Sequence, residues 1–97
     1  WGAVPLLEGA RALAEGGFVT GASDRNWAGY GAAVALPEGF APADRALLTD
    51  PQTSGGLLVA CAPGAAGEVL GVFRAHGFAE AAVVGSVEAG APGLVAG

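Results

Sequence analysis

The sequence predicts a small α+β domain of the α/β-sandwich kind, in which a small sheet is backed by helices. Three features point there. Segments 5–15, 23–34, 42–48 and 63–76 place apolar residues at the three- and four-residue spacing of helices. The uninterrupted apolar run Leu57-Leu58-Val59-Ala60-Cys61-Ala62 has the length of a strand buried on both faces. Residues 81–88 alternate well enough for a strand exposed on one face, and residues 93–96 add a last short strand across the turn of residues 88–92.

Taken in order, Pro5 suits the first turn of a helix, and Leu6, Leu7, Ala10, Leu13 and Ala14 form its apolar stripe. Glu8, Arg11 and Glu15 fall on the other side as i,i+3 and i,i+4 ion pairs, a solvated face, and Gly16-Gly17 stops the helix. Ser23 or Asp24 is the expected N-cap of a second helix that lines Trp27, Tyr30, Gly31 and Val34 along one face. Residues 36–40 are turn-rich. Residues 42–48 then form a short helix that must end by Leu48, because Pro51 disfavours αR at Asp50. Pro63 opens the last helix, with Ala65, Val69, Val72, Phe73 and His76 on one side and Gly77 at its end. Its glycines at 64, 67 and 71 each cost up to about 1 kcal/mol of helix propensity, so packing must hold it.

Composition narrows the function classes. Ninety-seven residues allow one domain, 1–97, at the small end of what buries an adequate core. The chain is 53% hydrophobic and 13% charged, too apolar for disorder, and no apolar run approaches the roughly 18 residues that span a bilayer. A soluble protein with no membrane partner is expected, and so much apolar residue in so small a domain predicts exposed apolar surface and self-association. The formal net charge of −5 leaves no basic stripe for a nucleic-acid backbone, so no nucleic-acid partner is expected. One cysteine excludes a disulfide framework and, with no targeting signal, suits a reducing cytoplasm. A start at Trp1 without methionine leads us to expect a piece of something longer.

The chain is organised around Asp50-Pro51-Gln52-Thr53-Ser54-Gly55-Gly56, which runs into the apolar segment 57–62. A proline that fixes φ, two small hydroxyl residues and paired glycines able to take φ > 0 describe a tight loop whose N–H groups converge on an anion. Thr53, Ser54, Gly55 and Gly56 are therefore the sharpest candidates for binding phosphate or substrate; the bland alternative is a loop that lets the next strand start close to a neighbour. Arg25, on the first turn of a helix, gains nothing from the macrodipole, so a bound anion or a carboxylate partner accounts for its placement. Asp50 reads better as a side chain that closes its own turn than as a metal ligand. His76, the sole histidine, suits a carbonyl contact in the last turn of its helix. Cys61 inside an apolar strand reads as a small buried hydrophobe.

The Asp50-to-Leu58 motif, with Arg25-Asn26 some two dozen residues upstream, resembles the C-terminal domain of the selenophosphate synthetase (selenide, water dikinase) family. That family belongs to the aminoimidazole ribonucleotide synthetase-like superfamily. The resemblance runs from Val4-Pro5-Leu6 through Thr20-Gly21-Ala22-Ser23-Asp24-Arg25-Asn26 to Val84-Gly85-Ser86-Val87. One departure is Gly21-Ala22-Ser23, where the family more often has Gly-Gly-Thr. The resemblance implies that this chain is a fragment of the C-terminal domain of a longer enzyme making selenophosphate, AMP and phosphate from selenide, ATP and water. It implies ATP and magnesium for the full-length parent, none bound by the fragment alone, and a homodimer formed through the N-terminal domain, which is itself the fragment's partner. It adds Ser23, Arg25 and Asn26 to the substrate-binding candidates. It places the reactive cysteine or selenocysteine, a lysine and the metal-binding aspartates upstream, so no catalytic or metal residue is expected within the chain. Two alternatives stand beside it: another ATP-dependent enzyme of the superfamily, such as a purine-pathway ligase or a hydrogenase-maturation factor, and a non-enzymatic binding module.

Overall fold

A computed structural model describes residues 1–97. It contains four α-helices, α1 (Ala10–Glu15), α2 (Gly21–Tyr30), α3 (Pro42–Leu48) and α4 (Ala66–Ala75), and two short strands, β1 (Val34–Ala35) and β2 (Leu94–Val95). The fold is a small α+β domain, as its sequence predicts. The chain divides into two compact units, one of residues 6–55 with 90–97 and the other of residues 1–5 with 56–89.

In the first unit, α1 and α2 both pack on α3. Helix α1 begins five residues later than the start at Pro5 that the sequence suggests, because Gly9 adopts φ 79° and breaks the helical path. The expected Glu8–Arg11–Glu15 ladder is not formed; Arg11 instead pairs with Asp44 of α3, which ties the two helices at their surface. Gly17 takes φ 84°, its N–H donates to Ala14 O at 3.0 Å, and the Phe18 N–H donates to Leu13 O at 2.9 Å. These two bonds satisfy carbonyls that the last turn of α1 leaves open.

Helix α2 begins at Gly21, two residues ahead of the expected caps, and its N-cap Thr20 makes no side-chain cap bond. Gly31 follows the helix because an added Cβ would lie 2.7 Å from the Trp27 ring. Val34 therefore sits in β1 and not on the helix. Strand β2 forms within residues 93–96, but its partner is β1, in parallel, with Val34 opposite Leu94 and Ala35 opposite Val95. The expected partner, residues 81–88, forms no strand.

In the second unit, α4 follows a 3₁₀ turn opened by Pro63, with Pro63 at its first position. Its C-terminus repeats the device that ends α1. Gly77 has φ 89°, the Gly77 N–H donates to Arg74 O at 3.0 Å, and the Phe78 N–H donates to Phe73 O at 3.0 Å. Phe78 also meets Phe73 edge-on at 6.3 Å between ring centres, the apolar contact that accompanies this motif. An alanine at Gly77 would place a Cβ in the left-handed region at a cost of about 1 kcal/mol. Residues 57–62 form no strand, and Leu57 and Leu58 are 81% and 86% exposed. A strand buried on both faces needs neighbours at its edges and a layer on each side, and this chain supplies neither to that segment. Cys61 is consequently exposed, contrary to the buried reading.

Only Ala14 and Ala96 are buried among the apolar residues, and no large side chain is fully buried. Phe18, Leu57, Leu58 and Val87 are each more than three-quarters exposed. Covering such area is worth roughly 25 cal/mol per Å², so these surfaces favour association. The 97-residue chain is expected to bind a hydrophobic dye and to sediment as more than a monomer at high concentration; a dye-silent, strictly monomeric chain would contradict the exposure described here.

Candidate functional site

The candidate site is built on the C-terminal end of α3, which delivers the chain into the loop of residues 50–56. Thr49, the residue after the helix, is 3% exposed. Its Oγ1 donates to Arg45 O at 2.8 Å and approaches Ala46 O at 3.3 Å, while its N–H also reaches both carbonyls, at 3.1 and 3.3 Å. A threonine thus closes this helix end by bonding back to the last turn, and the chain leaves it in a defined direction. The Asp50 N–H then donates to Leu47 O at 3.4 Å, and Asp50 Oδ2 accepts from Gln52 Nε2 at 3.3 Å. The Asp50 carboxylate thus meets the Gln52 side chain and not the backbone of its own turn.

The loop itself is a tight turn in which the Gly55 N–H donates to Gln52 O at 3.2 Å. Thr53 and Ser54 occupy its exposed tip. Positive φ is confined to Gly9, Gly17, Gly39 and Gly77, so neither Gly55 nor Gly56 adopts the left-handed conformation expected of them. The reason is the turn: with the Gln52–Gly55 hydrogen bond made and no positive φ, it needs no left-handed residue, and the alternation of right- and left-handed residues that forms an anion nest is absent. The Gly55 N–H is also spent inside the turn. What requires glycine at 55 is space, since an added Cβ would lie 2.6 Å from Gln52 Cβ, whereas a Cβ at Gly56 would meet nothing within 4 Å.

Helix α2 divides the Ser23, Arg25 and Asn26 candidates by face. Ser23 and Asn26, three residues apart, turn inward. Ser23 is 4% exposed and its Oγ donates to Ala46 O at 3.4 Å; Asn26 Nδ2 donates to Thr49 O at 2.8 Å. Both are engaged with the carbonyls at the end of α3, which explains why Ser23 caps nothing on its own helix. Arg25 points outward. It is exposed, makes no hydrogen bond or ion pair within the chain, and its guanidinium folds back to within 3.6 Å of where a Gly21 Cβ would stand. The structure thus joins Asn26 to the residue that precedes the loop, and leaves Arg25, Thr53 and Ser54 open to solvent.

Two features escaped sequence reasoning. Thr49 is one; its signal was a hydroxyl residue directly before Asp-Pro at a helix end, where open carbonyls need donors. The other is Arg45, whose guanidinium lies 5.5 Å from the Trp27 ring centre and 3.8 Å from Asp24. That ion pair is largely exposed and contributes well under about 1 kcal/mol, so the stacking on Trp27 is the better reason for the position of Arg45. Beneath it, Trp27, Tyr30, Val34, Leu48 and Leu94 line an apolar cavity of about 90 Å³. A second groove of about 160 Å³ runs between α1 and α3, lined by Leu13, Phe18, Val19 and Leu47 with Asp50 at its rim. His76 Nδ1–H donates to Val72 O at 2.9 Å, the expected carbonyl contact. No three histidine, cysteine or carboxylate side chains converge on a point able to hold a metal ion, and no helix is long and apolar enough to cross a membrane.

These features, a small α+β fold with an exposed hydroxyl- and glycine-bearing loop leaving a helix end, agree with the family comparison. Residues 4–96 match the family of AIR synthase related proteins, C-terminal domain, and the chain belongs to that family. Within it, the chain is 57% identical over 94 residues to a selenide, water dikinase of Pseudomonas straminea, covering 97% of this chain and 26% of that protein. It is 56% identical over 87 residues to the selenide, water dikinase of Burkholderia ambifaria (strain MC40-6), covering 90% of this chain and 25% of the relative. It is also 56% identical over 89 residues to that of Rhizobium meliloti (strain 1021), covering 92% and 26% respectively. The chain therefore spans about a quarter of the length of the curated relatives it matches. No solved structure matches it.

Proposed function

We propose that this chain is part of the C-terminal domain of a selenophosphate-forming enzyme, one that converts selenide, ATP and water to selenophosphate, AMP and phosphate, and that residues 50–56 line one wall of its substrate cleft. The observation that carries this is the 57% identity over 94 residues to a selenide, water dikinase, which takes in the loop and the Arg25-Asn26 pair together. On this reading the rest of the enzyme, including its N-terminal domain, is the chain's partner, supplies the nucleophile and lysine, and forms the homodimer. On the family resemblance, magnesium is held there as well, by aspartates outside this chain. A reducing cytoplasm suits an exposed free thiol at Cys61.

Arg25 is the residue of the chain best suited to meet a phosphate, being a guanidinium on an exposed face with no partner of its own to give up. Thr53 and Ser54 offer hydroxyls at the tip of the turn, and the backbone around Gly55 and Gly56 gives the loop its shape. Ser23 and Asn26 belong to the same site through the carbonyls they hold. The test is selenide-dependent AMP formation by the full-length enzyme. Arg25→Ala is expected to raise the KM for ATP about 10-fold, the worth of a charge-assisted hydrogen bond, without lowering the melting temperature. An unchanged KM removes Arg25 from the site; AMP formation indifferent to selenide overturns the reading as a whole.

A further inference from the structure

We infer that Asn26 and Thr49 are positioning residues: together they latch α2 to the end of α3 and so set where the Asp50-to-Gly56 loop begins. The deduction rests on the reading that this loop lines the substrate cleft, but the latch itself is a matter of geometry. Asn26 sits in α2, and its Nδ2 donates at 2.8 Å to the carbonyl of Thr49, the last residue before the loop. Thr49 in turn fastens to α3 through Oγ1, at 2.8 Å from Arg45 O, and is 3% exposed, so its backbone has little room to shift. Ser23 adds a longer bond, 3.4 Å, from the same face of α2 to Ala46 O. Asn26 supplies the Thr49 carbonyl with a donor from an element distant in sequence, and Ala46 O, already reached by the Thr49 N–H, gains a further donor from Ser23.

This arrangement divides the labour within the Ser23-Asp24-Arg25-Asn26 stretch. One face of α2 presents Arg25 outward, and the opposite face spends its polar groups on holding the base of the loop. Removing the Asn26 amide leaves the Thr49 carbonyl free to rotate with the loop; removing the Thr49 hydroxyl frees the helix end beneath it. Neither residue needs to touch substrate for its loss to matter, because misplacing catalytic or binding groups by about 1 Å costs up to about 100-fold in rate.

The test compares Asn26→Ala, Thr49→Val and Thr49→Ser. In the full-length enzyme without substrate, backbone order parameters from NMR relaxation at residues 52–55 are expected to drop from about 0.85 to below about 0.6 in Asn26→Ala and Thr49→Val. They are expected to stay high in Thr49→Ser, which keeps the hydroxyl. Gly77 and Phe78, in the other unit, serve as the internal reference and should not change. In the full-length enzyme, the first two variants should lower kcat about 10-fold with little change in the KM for ATP, and Thr49→Ser should recover it; a residue that merely stabilises the fold would not give this split. Unchanged order parameters at 52–55, or an equal loss at Gly77 and Phe78, overturn the latch, as does full kcat in Asn26→Ala. The relaxation measurement needs no substrate, so it decides the latch even if the full-length enzyme proves indifferent to selenide and the functional reading falls.

Discussion

Gly55→Val in the full-length enzyme is expected to lower selenide-dependent AMP formation by about 100-fold, while Gly56→Val stays within about threefold of the unmodified enzyme. The two glycines are adjacent, but their surroundings differ. A Cβ on Gly55 would lie 2.6 Å from Gln52 Cβ, 3.2 Å from Gln52 Oε1 and 3.3 Å from Gln52 O, so valine must force open the turn that its own N–H closes. Two of those three atoms are backbone or the first carbon of a side chain, which cannot swing aside. The turn would then unwind, carrying Thr53 and Ser54 with it. At Gly56 a Cβ meets nothing within 4 Å, and φ is not positive, so a side chain is neither clashing nor strained there. Activity of both variants, measured beside their melting temperatures, decides the matter. Full activity in Gly55→Val would mean that the shape of this turn is irrelevant to the reaction.

A larger effect, total loss, is expected when the 97 residues are assayed alone. Phosphoryl transfer depends on positioning and on neutralising charge at the transferred group, which enzymes arrange with metal ions, lysine and arginine. All four basic residues of this chain are accounted for by Arg11, Arg25, Arg45 and Arg74, so it contains no lysine. Arg11 is paired with Asp44, and Arg45 is stacked on Trp27 beside Asp24. No three histidine, cysteine or carboxylate side chains gather where they could hold a metal ion. The pure chain is expected to form no AMP above the protein-free rate with ATP, selenide and magnesium supplied. Measurable turnover would show that the chain holds catalytic groups that neither its composition nor its geometry contains.

Local signals in the sequence determined that four helices form and where α1, α3 and α4 end. Pro42 at the start of α3, Pro51 beyond its end, and the glycines that close α1 and α4 act within a few residues, through φ and through carbonyls of the same turn, so they are readable without a fold. The Asp-Pro-Gln-Thr-Ser-Gly-Gly motif likewise marked the candidate loop and the family.

The tertiary structure decided which residues those elements present to one another. Ser23 looked like a cap and Asn26 like a substrate-binding candidate; Ser23 bonds to a carbonyl of α3 and Asn26 to the carbonyl of Thr49 just after it, each more than 20 residues away, a pairing that no local spacing encodes. Thr49 acquired its importance only from being the shared point of that contact. The strands went the same way. The apolar pattern of residues 57–62 and 81–88 states what a sheet would bury, but a strand exists only where another backbone offers its N–H and C=O groups. In this chain that condition is met between β1 and β2 alone.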